Sequence, residues 1–211
     1  MKNETKQILT ALITEYPKLT AIEKEISTAF EMLIECYTNK GKVLLCGNGG
    51  SAADCEHIVG ELMKSFKKKR PLTQKQKESL LKEDSTGFIS DNLEGALPAV
   101  SLVSGVALAT AFINDVSADL VYAQQVFGLG RVGDILIGIS TSGNAVNVNC
   151  ALKTARALGM KTIGMTGDNG GEMNKPCDSV VKAPQNETYL IQELHLPIYH
   201  TLCAMLEEEL F

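Results

Sequence analysis

Over residues 42–61 a run of four apolar residues (Val43, Leu44, Leu45, Cys46) gives way to Gly47-Asn48-Gly49-Gly50-Ser51, and then to a helical pattern carrying His57 and Glu61. A strand that enters a helix this abruptly needs φ > 0 or a close backbone approach, and glycine tolerates both because it has no Cβ. The helix aims its first free N–H groups and the positive end of its dipole at whatever lies above the turn, so an anion is the expected guest. His57 and Glu61 are four residues apart and share one helix face. An imidazole and a carboxylate at that spacing can share a divalent metal or divide into acid and base; an exposed His/Glu pair is the plainer alternative.

Further along, residues 98–103 read as a second strand, residues 106–112 as a helix ending at Asn114-Asp115, and residues 121–127 as another helix. Residues 134–139 form a continuous apolar run of the kind buried on both faces of a sheet. They lead into Ser140-Thr141-Ser142-Gly143-Asn144 and a helix over 145–158. Three hydroxyls and a helix N-terminus at the end of a core strand offer neutral donors for a phosphate, whereas a helix cap alone needs one hydroxyl. Strands over 161–166 and 179–182 and a helix from about Asn186 complete the alternation. The pattern predicts an α/β fold with a parallel sheet and ligands over its carboxyl edge, where both special loops fall.

Residues 1–40 place Ile8, Leu9, Leu12 and Ile13, then Leu19, Ile22, Ile26, Phe30, Leu33 and Ile34, at helical spacing. Thr20 with Glu23 reads as a capping box and Asn39-Lys40-Gly41 as a stop. These N-terminal helices are expected to pack on the domain formed by residues 41–211 or on a neighbouring subunit. Within that domain residues 67–95, opening with Lys67-Lys68-Lys69-Arg70-Pro71, are polar and weakly periodic, and predict a flexible excursion or a lid.

The chain's 211 residues suit one α/β domain. A net charge of −5 argues against a nucleic-acid partner. Six cysteines without a CxxC spacing read as reduced thiols of a cytoplasmic protein, and the polar N-terminus predicts no secretory signal. Residues 95–114 carry no charge, but Pro98 and Gly105 divide them into strand and helix rather than a membrane span.

The last helix carries Gln192, His195, Pro197 and His200. Pro197 removes a backbone hydrogen bond and predicts a kink. Gln192 and His200 are eight residues apart, about 12 Å of rise, so both reach one metal only if it lies between them or the helix bends.

Gly47 to Ala52 also satisfies the GxGxxG/A pattern of a dinucleotide fold. That fold wants an acidic residue about 20 positions on, where this chain has a basic run. The joint pattern of Gly47-Asn48-Gly49-Gly50-Ser51, His57, Glu61, Asn114-Asp115, Ser140-Thr141-Ser142-Gly143-Asn144, Gln192-Glu193-x-His195 and His200 resembles the sugar isomerase (SIS) domains of the phosphoheptose isomerase type. The resemblance implies a flavodoxin-like fold, a parallel five-stranded sheet between helices, and a homotetramer with active sites between subunits. It implies one Zn2+ per subunit held by His57, Glu61, Gln192 and His200. It also implies a sugar phosphate lined by Asn48, Gly49, Gly50, Ser51, Glu61, Asn114, Asp115, Ser140, Thr141, Ser142 and Gln192. Glu61 would then be the base and His200 the acid of an aldose–ketose isomerisation. The chain departs from the family at Ala145, where a serine is usual, and at Tyr189-Leu190, where a polar pair is usual. A non-catalytic platform similar to the DnaA initiator-associating protein, or a sugar-phosphate sensor, is the alternative on the same fold.

Overall fold

The computed structural model describes residues 1–211. Its five strands are β1 (Val43–Gly47), β2 (Ala99–Ser101), β3 (Ile135–Ile139), β4 (Lys161–Gly167) and β5 (Ser179–Ala183). All pair in parallel, in the order β2-β1-β3-β4-β5. The chain leaves β1 toward one edge to form β2, then returns across β1 to form β3. That reversal opens a crevice between the carboxyl ends of β1 and β3.

Side chains of successive strand residues point to opposite faces. Val43 and Leu45 join Ile135, Ile137 and Ile163 in one core, whereas Leu44 and Cys46 join Leu136 in a second. The first core is closed by α1 (Asn3–Glu15), α2 (Glu23–Thr38), α3 (Gly50–Met63) and α9 (Thr188–Leu210). The second is closed by α7 (Val121–Leu129) and α8 (Val146–Ala157). Three layers follow, with every residue of β1 and β3 buried.

Residues 1–40 belong to the first core through Leu9, Leu12, Ile26, Phe30 and Leu33. The start of α1 is fastened to the end of α9, where Thr5 Oγ1 donates to Glu209 Oε2 at 2.7 Å. Helix α2 stops where Asn39-Lys40-Gly41 predicts: Lys40 is left-handed (φ 61°) and the Gly41 N–H returns to the Cys36 carbonyl. Its start differs from expectation. Thr20 lies in a 3-10 turn (Pro17–Ile22), and its hydroxyl donates to the Pro17 carbonyl instead of capping α2.

The polar stretch after Lys67 is also more ordered than its composition suggests. It holds α4 (Gln74–Glu83) and α5 (Phe88–Asn92). A reciprocal capping box between Thr73 and Gln76 starts α4, and the Asp84 carboxylate accepts from the Thr86 and Ile89 backbone to turn the chain into α5. Helix α4 buries no residue, which is why hydrophobic periodicity does not reveal it.

Helix α6 (Val106–Asp115) and β2 divide residues 95–114 as expected, and no helix is long and apolar enough to cross a membrane. All six cysteines are free thiols. Helix α9 runs unbroken from Thr188 to Leu210 with Pro197 inside it.

Candidate active site

The pairing Gly47↔Ile139 sets the ends of β1 and β3 side by side, so the Asn48–Ser51 and Ser140–Asn144 loops are neighbours. Two asparagines lace them together. Asn48 Nδ2 donates to Asn147 Oδ1 at 2.9 Å and Asn147 Nδ2 donates back to Asn48 Oδ1 at 3.0 Å. The buried Tyr122 hydroxyl donates to the Gly47 carbonyl at 2.7 Å from below. Neither Asn147 nor Tyr122 stood out in the sequence, because each lies more than 70 residues from its partner.

Gly49 takes φ 57° as the chain enters α3, a conformation open to glycine without steric cost. In the second loop Ser142 Oγ accepts from the Asn144 N–H at 3.2 Å and Ser140 Oγ from the Ala145 N–H at 3.4 Å. Each hydroxyl therefore stiffens its own turn as an acceptor and keeps its proton for a ligand. Gly143 stands at φ 67°, and a Cβ there would collide with the Gly170 carbonyl oxygen. Gly143→Ala is expected to cost about 1–2 kcal/mol from backbone conformation alone, with the collision added, and to lower the urea midpoint accordingly.

One to three turns into α3, His57 and Glu61 face α9. His57 Nε2 lies 3.4 Å from Glu61 Oε1 and 3.4 Å from His200 Nε2. Glu61 Oε2 is buried without a hydrogen-bond partner, its nearest cation being Lys64 Nζ at 3.5 Å. The Phe66 ring packs against His200, with centroids 5.6 Å apart. Burial, and then the neighbouring His57, hold the His200 imidazole below its ordinary value, so it is neutral at neutral pH. His57 Nδ1 lies 2.9 Å from the Tyr199 hydroxyl, which donates to Asp54 Oδ1 at 3.2 Å.

Gln192 sits apart from this trio. Its amide packs on Gly50 at the start of α3, so closely that a Cβ at Gly50 would come within 2.5 Å of Nε2. His195 is fully buried, with Nε2 3.3 Å from the Thr166 carbonyl, and burial pushes it down to about 4. It is a neutral core residue beneath β4. Asn114 and Asp115 end α6, where Asn114 Nδ2 donates to Asp115 Oδ1 at 2.8 Å. Both are exposed, and no hydrogen bond joins them to the trio or to Ser140–Ser142.

No group of three or more His, Cys, Asp or Glu side chains stands as a ready-made metal cage. The donor chemistry nevertheless fits zinc. His57 Nε2 stands 3.4 Å from both Glu61 Oε1 and His200 Nε2, near the about 3.3 Å separating ligands on a tetrahedron with 2.0–2.1 Å bonds, and the other Glu61 oxygen is buried without a partner.

Within the basic run after α3, Arg70 serves the scaffold. Arg70 and Glu207 are almost wholly buried and pair at 2.7 Å. Arg70 also donates to the carbonyls of Leu62 and Glu61, and Glu207 accepts from the backbone N–H groups of Phe66, Lys67 and Lys68. Sequence spacing could not expose this pair, whose members lie 137 residues apart.

Comparison with known proteins places the chain in a family. Residues 9–95 and 92–167 match the SIS domain family. The phosphoheptose isomerase of Aliarcobacter butzleri is 40% identical over 192 residues, 91% of this chain and 89% of that protein. That of Nitratiruptor sp. is 41% identical over 183 residues, covering 87% and 85%. Among solved structures, phosphoheptose isomerase GmhA from Neisseria gonorrhoeae superposes with a TM-score of 0.71 at 32% identity, covering 97% of this chain and 92% of that one. The enzyme from Francisella tularensis gives 0.74 at 28% identity, covering 99% and 100%. At 40% and 41% identity to the first two of these, over most of both chains, the chain belongs to the SIS-domain family and, within it, to the phosphoheptose isomerases.

Proposed function

We propose that this chain is an aldose–ketose isomerase that converts sedoheptulose 7-phosphate to D-glycero-D-manno-heptose 7-phosphate through an enediolate. The observation that carries the reading is the adjacency of the two loops, with α3 leading from the first of them to His57 and Glu61. The Ser140, Thr141 and Ser142 hydroxyls, with the backbone of Asn48, Gly49, Gly50 and Ser51, take the phosphate end of the sugar. Asn114 and Asp115 line a sugar bound next to a neighbouring subunit.

Isomerisation requires a proton to leave C1, an enediolate to be stabilised, and a proton to return at C2. The Glu61 carboxylate is the base. His200, neutral and held against Phe66 and His57, passes protons to and from the sugar oxygens. His57, Glu61 and His200 would hold a zinc ion, and Gln192, which rests on Gly50 two turns away along α9, would complete the set only by swinging off that glycine. When bound, zinc would supply Lewis-acid polarisation of the carbonyl and hydroxyl oxygens. A carboxylate that binds a metal is a weaker base, so the two roles of Glu61 compete.

The reading extends to a cytoplasmic homotetramer with sites between subunits. Val106, Leu108 and Ile113 on α6, with Val116 beyond it, are exposed apolar side chains beside Asn114 and Asp115, and a second copy is the cover proposed for them.

The test is proton exchange at C1 and C2 of sedoheptulose 7-phosphate in deuterated water, with formation of the aldose followed in parallel. Chelation is expected to abolish turnover and added zinc to restore it. Absence of exchange with every C5 to C7 sugar phosphate tried, zinc present, would overturn the enzyme and leave the platform or sensor.

A further inference from the structure

His57 makes contacts through both ring nitrogens, and the chemistry of its neighbours decides which one carries the proton. On one side, the Tyr199 hydroxyl lies between His57 Nδ1 (2.9 Å) and Asp54 Oδ1 (3.2 Å). An ionised carboxylate can only accept, and the other Asp54 oxygen is buried with no hydrogen bond. Tyr199 therefore gives its single proton to Asp54. The phenolic oxygen is left to accept, and His57 Nδ1 must be the donor. On the other side, His57 Nε2 then presents a lone pair toward Glu61 Oε1 and His200 Nε2, each 3.4 Å away. The Glu61 oxygen is an acceptor too, and such a convergence calls for a cation at its centre.

We propose that Asp54 and Tyr199 are positioning residues that lock His57 in its Nδ1–H tautomer and hold the Nε2 lone pair ready for a divalent cation. The inference rests on the isomerase reading of this site, and it assigns work to two side chains that touch neither sugar nor metal. Both are within reach by construction. Asp54 is one turn before His57 on α3, and Tyr199 directly precedes His200 on α9, so the relay binds together the two helices that carry the site. The edge-on contacts of the Tyr199 ring with His57 and His200, at 5.5 and 5.0 Å between centroids, fix the imidazole planes as well. Outer groups that orient a metal-binding histidine typically change metal affinity 10–100-fold when removed.

The chain has three histidines, so their ring nitrogens are separable by 1H–15N correlation in the metal-free, substrate-free protein above the imidazole titration range. The expected result is an Nδ1–H tautomer for His57. In Tyr199→Phe, which keeps the ring and its packing, the Nδ1–H preference is lost and zinc affinity, measured by competition with a chromophoric chelator, falls roughly 10–100-fold. An Nε2–H tautomer in the wild-type chain, or an unchanged tautomer and zinc affinity in Tyr199→Phe, overturns the proposal. The tautomer is read without substrate. A wild-type chain that shows Nδ1–H yet exchanges no sugar proton sinks the isomerase and sustains the relay.

Discussion

Glu61→Gln is expected to lower kcat by about 10²–10⁴-fold while leaving the melting curve close to that of the wild type. The magnitude is that of losing a positioned general base, which corresponds to about 3–5 kcal/mol of transition-state stabilisation. Stability is spared because the Glu61 side chain reaches His57 Nε2 only at 3.4 Å and Lys64 Nζ only at 3.5 Å, and such contacts on a helix face beside exposed partners contribute little. The amide preserves shape and hydrogen-bonding reach, so a drop in rate reports lost basicity. Assaying the variant at saturating zinc separates the two roles of the residue. Rate restored by metal identifies Glu61 as a ligand alone, whereas a persistent loss with zinc bound identifies the base. Wild-type turnover by the variant without added metal would remove Glu61 from the chemistry.

Glu207→Ala is the substitution expected to damage the fold most, by about 3–5 kcal/mol, since it strands a buried guanidinium. For a chain of this size that corresponds to a fall in Tm of roughly 6–20 °C, checked by calorimetry. The loss reaches the site because Arg70 also holds the carbonyls of Glu61 and Leu62, while Glu207 gathers the turn from Phe66 to Lys68. The Phe211 ring closes over the guanidinium at 5.1 Å. Burial alone would raise the Glu207 carboxyl, but the three backbone donors and Arg70 outweigh it and hold the group below the ordinary carboxylate range. The sign of the pH effect follows. A depressed carboxylate stabilises the native state fully above its unfolded value, about 4.3, and the contribution disappears as pH falls through the lower native value. Glu207→Gln should therefore flatten the acid limb of the stability curve. A limb as steep as that of the wild type would assign it to other carboxylates.

The sheet and the two loops at the ends of β1 and β3 were legible because their signals are local. Four to six apolar residues followed by glycines or hydroxyls announce a strand and its turn regardless of what lies across the sheet. The i,i+4 spacing of His57 and Glu61 likewise needs only helical geometry. Asp54 carried the same kind of signal at i−3 from His57, although a single aspartate on a helix gives no reason to be singled out. Helix α4 was missed for the opposite reason: with no side chain buried it has no apolar stripe, and its capping box at Thr73 and Gln76 was the one mark it left. The supposed capping box at Thr20 shows that such a mark misleads when the preceding proline favours a 3-10 turn.

Residue order alone determined the α/β class, the succession of strands and helices, and the polar loops at strand ends, since each depends on contacts within a few residues along the chain. Only the folded structure decided that β1 and β3 are neighbours, that Asn48 finds Asn147, and that Arg70 finds Glu207. It also decided that His200 stops beside His57 while Gln192, on the same helix, rests two turns away on Gly50. Those are choices of packing between distant segments, where sheet order and the relative placement of α3 and α9 minimise exposed apolar surface. No local pattern encodes the partner across such a gap.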